Sequence, residues 1–496
     1  MSRPAQPTFG LTVSLRCAVS RILLCALVAF TFASAMSAQT STSSEAAASG
    51  HWEGEILIPG TALQVMVDLA EDESGWEGTI DIPVQGAKGL SLENVVVEGT
   101  SVSFAIKGIP GTPTFDGTLA DERIEGSFSQ AGAEFEFWLG REGVEPPRRP
   151  QDPEPPFPYT AEEVSYANGD ITLAGTLTVP EGPGPHPAAL LITGSGAQNR
   201  DEEILGHRPF LVLADHLTRQ GIAVLRVDDR GVGGSTGNVS QSTSRDFATD
   251  VVAGVNFLRA DERVREIGVI GHSEGGLVGP IAATLTDEIA YVVMLAGTGV
   301  PGTDILKLQL ELISRVQGTD DETLAQQLEL QQQVLDTMMS SAPTEERRER
   351  LRTIVEKQLE LAPEAASLEG EAREKALEQA IEGGIASVLN PWFEAFLTYD
   401  PRESLSQVKV PVLALNGDLD LQVDADQNLP EIAKALLEGG NHDVTLRRFP
   451  KMNHLFQTAE TGAPTEYSEI EETMSPIVLE VISDWILNRF GSSPVG

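Results

Sequence analysis

The chain has 496 residues, 41% of them hydrophobic, which is enough for two or three domains with sizeable cores. Its 74 acidic residues against 34 basic ones give a formal net charge of −40. Such a surface repels nucleic-acid phosphates and anionic lipid headgroups, so polyanion partners are excluded.

Residues 1–38 have the make-up of a secretory signal peptide. Arg3, Arg16 and Arg21 form a positive region, Ile22 to Phe32 an apolar run, and Ala33-Ser34-Ala35 or Ser37-Ala38 a small-residue cleavage neighbourhood. The run is shorter than the roughly 20 residues a membrane span needs. The expectation is an exported protein, periplasmic or extracellular, with no membrane insertion after cleavage. Both cysteines, Cys17 and Cys25, lie in this leader, so the mature chain has no thiol for a nucleophile, a metal site or a disulfide.

Residues 51–141 carry a β pattern without helix-length periodicity, as in Val102 to Ile106 and Phe135 to Leu139. Trp52-Glu53-Gly54 returns as Trp76-Glu77-Gly78, a two-copy echo. A small antiparallel sandwich or barrel is predicted. Seven prolines between residues 145 and 158 mark an extended, semi-rigid linker.

From residue 160 to 490 strands and helices alternate. A hairpin turning at Asn168-Gly169 comes first. The strand Ala188 to Ile192, a helix near Phe210 to Arg219, the strand Ile222 to Val227 and a helix near Arg245 to Leu258 follow. The strand Ile267 to Ile270 precedes Gly271-His272-Ser273-Glu274-Gly275, and Tyr291 to Leu295 is the next strand. This alternation predicts an α/β fold, a doubly wound and mostly parallel sheet. Residues 301–400 have helical spacing instead and read as an inserted helical cap. The sheet resumes at Val410 to Leu415 and Val444 to Phe449, and a helix near Pro476 to Phe490 ends the chain.

Gly271-His272-Ser273-Glu274-Gly275 fits Gly-x-Ser-x-Gly between a strand and a helix, the context in which a sharp turn exposes a nucleophilic serine. Ser273 is the predicted nucleophile. A serine hydroxyl needs a base, and in this arrangement an acid and then a histidine follow in chain order, each after a strand. Val412 to Leu415 leads to Asp418 and Asp420. Asp420 is favoured because it clears the tight turn at Gly417, with Asp418 as the rival. Val444 to Phe449 leads to His454, the predicted base, whereas His442 precedes its strand and reads as a surface turn. His272 reads as packing beside the nucleophile. Backbone N–H groups of Glu274 and Ser195, with Gly196 as alternate for the latter, are the candidate oxyanion donors. Asp228 to Ser235 looks like a phosphate loop but lacks Lys and the glycine spacing, so it reads as a structural turn. No His, Asp and Glu cluster has metal-ligand spacing, so no metal is predicted. Trp392, Phe393 and Phe396, close together at the end of the cap, are candidate substrate-pocket residues, with the cap's own core as the alternative.

At these residues the chain resembles the α/β-hydrolase superfamily, and within it a group of bacterial carboxylesterases similar to serine aminopeptidases and Xaa-Pro dipeptidyl-peptidases. The resemblance spans residues 160–490. It rests on Ile192-Thr193-Gly194-Ser195-Gly196, Asp229-Arg230-Gly231-Val232-Gly233, the serine motif, Leu415 to Val423 and Asn453-His454-Leu455-Phe456-Gln457. It implies a serine carboxylesterase acting on small-molecule esters of short acyl chains, without a cofactor. Thr193 stands where many members have His. A peptidase with the same triad and a binding protein built on the leading β domain are the competing readings.

Overall fold

The computed structural model describes residues 48–491 except 59–60, 73–74, 83–86, 110–111, 121, 131–132, 142–148 and 361–369. The leader, with Cys17 and Cys25, lies outside the described residues.

Eight strands form the first unit: β1 (Gly50–Ile58), β2 (Thr61–Asp72), β3 (Gly75–Ile82), β4 (Ala87–Glu98), β5 (Ser101–Ile106), β6 (Thr114–Ala120), β7 (Arg123–Gln130) and β8 (Ala133–Gly140). Each pairs antiparallel with the next, and β8 pairs back onto β1, so the unit is a closed barrel. Alternate side chains point inward, which the period of a strand dictates. Trp52, Val67, Ile80, Val102, Ile124 and Leu139 are buried there. Phe115 lies at the centre, with the rings of Phe104, Phe128 and Phe137 4.7, 4.8 and 5.0 Å away. The Trp-Glu-Gly echo falls on β1 and β3, the two neighbours of β2. Its glycines allow close strand approach, since a methyl on Gly54 would meet the Trp138 carbonyl oxygen at 1.8 Å.

The second half of the predicted linker is fastened to the domain that follows. Arg149 donates to the Ser468, Ile470 and Leu205 carbonyls at 2.9, 3.2 and 3.1 Å. Gln151 donates to the Met474 carbonyl and accepts from the Thr473 amide, at 2.7 and 2.6 Å.

The second sheet contains β9 (Tyr159–Asn168), β10 (Ile171–Pro180), β11 (His186–Ile192), β12 (Ala223–Val227), β13 (Val264–His272), β14 (Ile289–Leu295), β15 (Val412–Gly417) and β16 (Val444–Phe449). The strand order is β16-β15-β14-β13-β11-β12-β10-β9, antiparallel at β9–β10 and β10–β12 and parallel elsewhere. Along β11 the side chains divide by parity. Ala188, Leu190 and Ile192 join a core with α2 (Ser244–Arg259), α3 (Gly275–Leu285) and α10 (Ala425–Glu438). Ala189 and Leu191 join the opposite core, under α1 (Pro209–Arg219) and α11 (Pro476–Phe490). Helices on both faces explain why these strands are continuously apolar. This is the α/β-hydrolase architecture.

Between β14 and β15 the chain runs through α4 (Gly302–Val316), α5 (Asp321–Met339), α6 (Thr344–Glu360), α7 (Gly370–Val388), α8 (Pro391–Thr398) and α9 (Pro401–Leu405). Asp320 caps α5 by accepting from the Glu322 and Thr323 amides. Asn390 caps α8 in front of Pro391, where proline's missing N–H costs nothing. Leu330, Leu335, Met338, Leu351, Ile381 and Ile385 are buried in a core of the cap's own.

Candidate active site

Ser273 sits between β13 and α3 with φ of +52°, a left-handed conformation rare outside glycine. The turn is held by the Ser273 amide donating to the Leu295 carbonyl and the Gly276 amide donating to the Ser273 carbonyl, at 2.8 and 2.9 Å. It closes so tightly that a methyl on Gly271 would come within 2.0 Å of the Gly275 carbonyl oxygen. One on Gly275 would come within 2.1 Å of the Ile192 carbonyl oxygen. Both glycines of the motif are therefore demanded by sterics, and α3 starts directly behind the serine.

The loops after β15 and β16 bring Asp420 and His454 together, with His454 Nδ1 2.9 Å from Asp420 Oδ2. The pair is buried, Asp420 being 1% and His454 4% exposed. The other carboxylate oxygen, Oδ1, accepts from the Gln422 and Val423 amides at 2.9 and 2.8 Å. With the carboxylate accepting on both oxygens, Nδ1 of His454 is the donor, and Nε2 keeps the lone pair. Asp418 points elsewhere: it is exposed and pairs with Arg448. His442 is exposed beside Asp443.

Ser195 lies in the turn that follows β11. The preceding amide, Gly194, donates to Glu202 Oε1 at 2.6 Å and is thereby occupied, so Ser195 and Gly196 carry the next amides of this turn. Glu274 follows the nucleophile and is 4% exposed. Its Oε1 accepts from the Ser244 hydroxyl at 2.6 Å and from the Trp392 indole at 2.8 Å. Burial raises its pKa against the pull of these two donors.

Of the three cap aromatics, Trp392 is therefore the one tied to the elbow. Its ring stacks on Phe396 at 5.5 Å and lies 6.1 Å from Phe393. Phe393 and Phe396 pack against the cap core, and Phe396 also lies so close to Gly302 that a methyl there would meet its ring at 2.5 Å.

Two groups carried no signal in the sequence. Glu202 and Ser244 stand 71 and 29 positions before Ser273, in polar runs without a motif of their own. Asp229 accepts from the Thr193 hydroxyl at 2.8 Å and the Gln198 amide at 2.9 Å, bracing the turn that carries Ser195. Burial pushes its pKa up to about 8, with the charges of Glu274 and Glu202 adding to the rise. The neighbouring loop is a structural turn: Asp228 accepts from Arg200 and from the Gly234 amide, and Gly231 and Gly233 have φ of +76° and +53°. Thr193, Gly194, Asp229 and Glu274 line one small cavity behind the elbow.

Residues 208–361 match the profile of the family described as serine aminopeptidase, S33. Over 338 residues the chain is 25% identical to the esterase EstD of Thermotoga maritima, covering 67% of this chain and 70% of that one. Among solved structures, Est1E of Butyrivibrio proteoclasticus aligns at 16% identity and a TM-score of 0.38, over 66% of this chain and all of its own. A Pyrococcus furiosus esterase aligns at 17% identity and a TM-score of 0.41, over 71% of this chain and all of its own.

Proposed function

We propose that this α/β-hydrolase is an exported serine carboxylesterase that hydrolyses small-molecule esters of short acyl chains. The observation that carries the reading is the buried Asp420–His454 hydrogen bond, in the loops where the chain order after the Ser273 elbow calls for an acid and a base.

In this reaction His454 Nε2 takes the Ser273 proton as the hydroxyl oxygen attacks the ester carbonyl. Asp420 keeps the proton on Nδ1 and offsets the charge that forms on the ring. The Glu274 and Ser195 amides hold the oxyanion of the tetrahedral intermediate, with the N-terminus of α3 adding its dipole. The intermediate collapses, the alcohol leaves with the proton from His454, and an acyl-Ser273 remains. Water, deprotonated by His454, releases the acid and restores the serine. Protein groups alone carry these steps, so no cofactor and no metal enter the proposal. The similarity to EstD supports an ester over an amide substrate.

The match of residues 208–361 to the serine aminopeptidase family favours a second reading, a peptidase with the same three residues. A panel of p-nitrophenyl esters of increasing acyl length, run beside aminoacyl and Xaa-Pro anilides, separates the two. The esterase reading expects kcat/KM for short esters to exceed that for every anilide by orders of magnitude. Anilide turnover equal to or above ester turnover overturns it.

A further inference from the structure

We propose that His272 is a positioning residue, held as an imidazolium between Glu202 and the backbone of His454, and that it fixes the base relative to the nucleophile. The inference rests on the reading of Ser273 and His454 as nucleophile and base.

Both ring nitrogens of His272 face acceptors. Nε2 is 3.0 Å from the His454 carbonyl oxygen, which can only accept. Nδ1 is 3.0 Å from Glu202 Oε1, the same oxygen that accepts from the Gly194 amide at 2.6 Å. An imidazole that donates from both nitrogens carries a positive charge. The ring is 7% and Glu202 4% exposed, so this is a buried pair with little screening. Burial alone disfavours the charged ring, but Glu202, the His454 carbonyl and the more distant Asp420 outweigh it, and the His272 pKa is raised. Glu202 itself has φ of +52°. A non-glycine residue in that conformation is strained, and such strain persists where the surroundings over-determine the residue. Here its side chain binds the turn after β11 and the elbow, and His272 carries the tie on to the loop that bears the base. The two histidine rings lie 4.8 Å apart, tilted by 48°. Each strand-end loop contributes one reacting group, and His272 is the side chain that spans from the elbow to the His454 loop.

His272→Phe keeps a ring in the space and removes the donors. The expected result is a kcat about 10- to 100-fold lower with KM within about twofold, because a misplaced reacting group costs rate rather than affinity. His272→Gln, whose amide can donate to the His454 carbonyl, recovers part of that loss. A His272→Phe enzyme at wild-type kcat, or a His272→Gln enzyme as slow as His272→Phe, overturns the proposal. The charge is read on the folded wild-type chain by NMR with 15N-labelled histidine at neutral pH. His272 should give the signature of a doubly protonated ring, and Glu202→Gln should convert that ring to the neutral form. A neutral His272 in the wild type, or a ring unaltered by Glu202→Gln, overturns the proposal even where His272→Phe does not fold. Ser273→Ala run alongside keeps the two readings apart. Hydrolysis surviving that change defeats the serine mechanism, whereas an inactive Ser273→Ala beside a fully active His272→Phe defeats this inference alone.

Discussion

The Trp392 indole N–H donates to the Glu274 carboxyl at 2.8 Å, which joins the cap to the residue directly after Ser273. The same oxygen accepts from Ser244 at the start of α2, so cap, elbow and helix meet at one buried group. Trp392→Phe keeps an aromatic ring for Phe396 and removes the N–H together with part of the indole's packing area. A buried acceptor that loses one of its donors costs roughly 1–3 kcal/mol. The expected outcome is a loss of that order in urea unfolding, with a fall in kcat/KM on esters. Unchanged stability and unchanged kinetics would make the contact incidental.

Ser273→Ala should remove ester hydrolysis while leaving the circular-dichroism spectrum and melting temperature near wild type. Residual rate above about a thousandth of wild type exceeds what binding and the oxyanion donors supply, and would point to another nucleophile.

The two carboxylates after β15 should behave very differently. Asp420→Asn presents an amide to His454, favours the wrong tautomer, and should lower kcat by about ten-thousandfold. Asp418→Asn only loosens an exposed pair with Arg448, and such pairs are worth about 0–1 kcal/mol. Equal losses from both changes would refute the assignment of the acid.

Asp229 makes stability depend on pH. Its folded pKa is about 8, against about 3.9 for a free aspartate. Between pH 4 and 8 the folded state holds the proton and the unfolded state releases it. Stability therefore falls as pH rises through that window and levels off above it. Asp229→Asn abolishes this contribution. Melting temperatures at pH 5, 6.5 and 8 should show the variant gaining on wild type as pH rises, and parallel curves would exclude a protonated Asp229.

Phe396→Ala should loosen the cap. The ring lies between Trp392 and Gly302 at the start of α4, and removing a packed phenylalanine costs about 3–5 kcal/mol when fully buried, less here because the ring is only partly covered. The measurement is the melting temperature beside the ester-length profile. A changed profile with unaltered melting temperature would instead assign Phe396 to the acyl pocket.

The elements read most directly from sequence were those with local signals. Pro476 at a helix start and the β-branched, turn-bounded run Val444–Phe449 mark α11 and β16 at their observed limits. The helix α10 has a weaker local signal, because Asp424 caps it but Pro430 interrupts its pattern. Whether the leading β unit is a sandwich or a barrel is decided by the pairing of β8 with β1, a contact between residues 79 to 87 positions apart that no local pattern encodes. The elbow was legible because sterics write it into adjacent residues. Glu202 was not, since its partners Gly194 and His272 are brought to it only by the sheet. Trp392 was noticed for its ring, yet its N–H makes the contact that matters to the elbow.

The seam between β1 and β8 runs from Glu53 opposite Gly140 to Leu57 opposite Glu136. Among the described residues, a ring of strands sealed in this way leaves no open edge strand for a foreign peptide to extend by strand addition. Its middle is packed with phenylalanine rings. The outward side chains include Trp138, which lies beneath the Arg123 guanidinium at 4.2 Å.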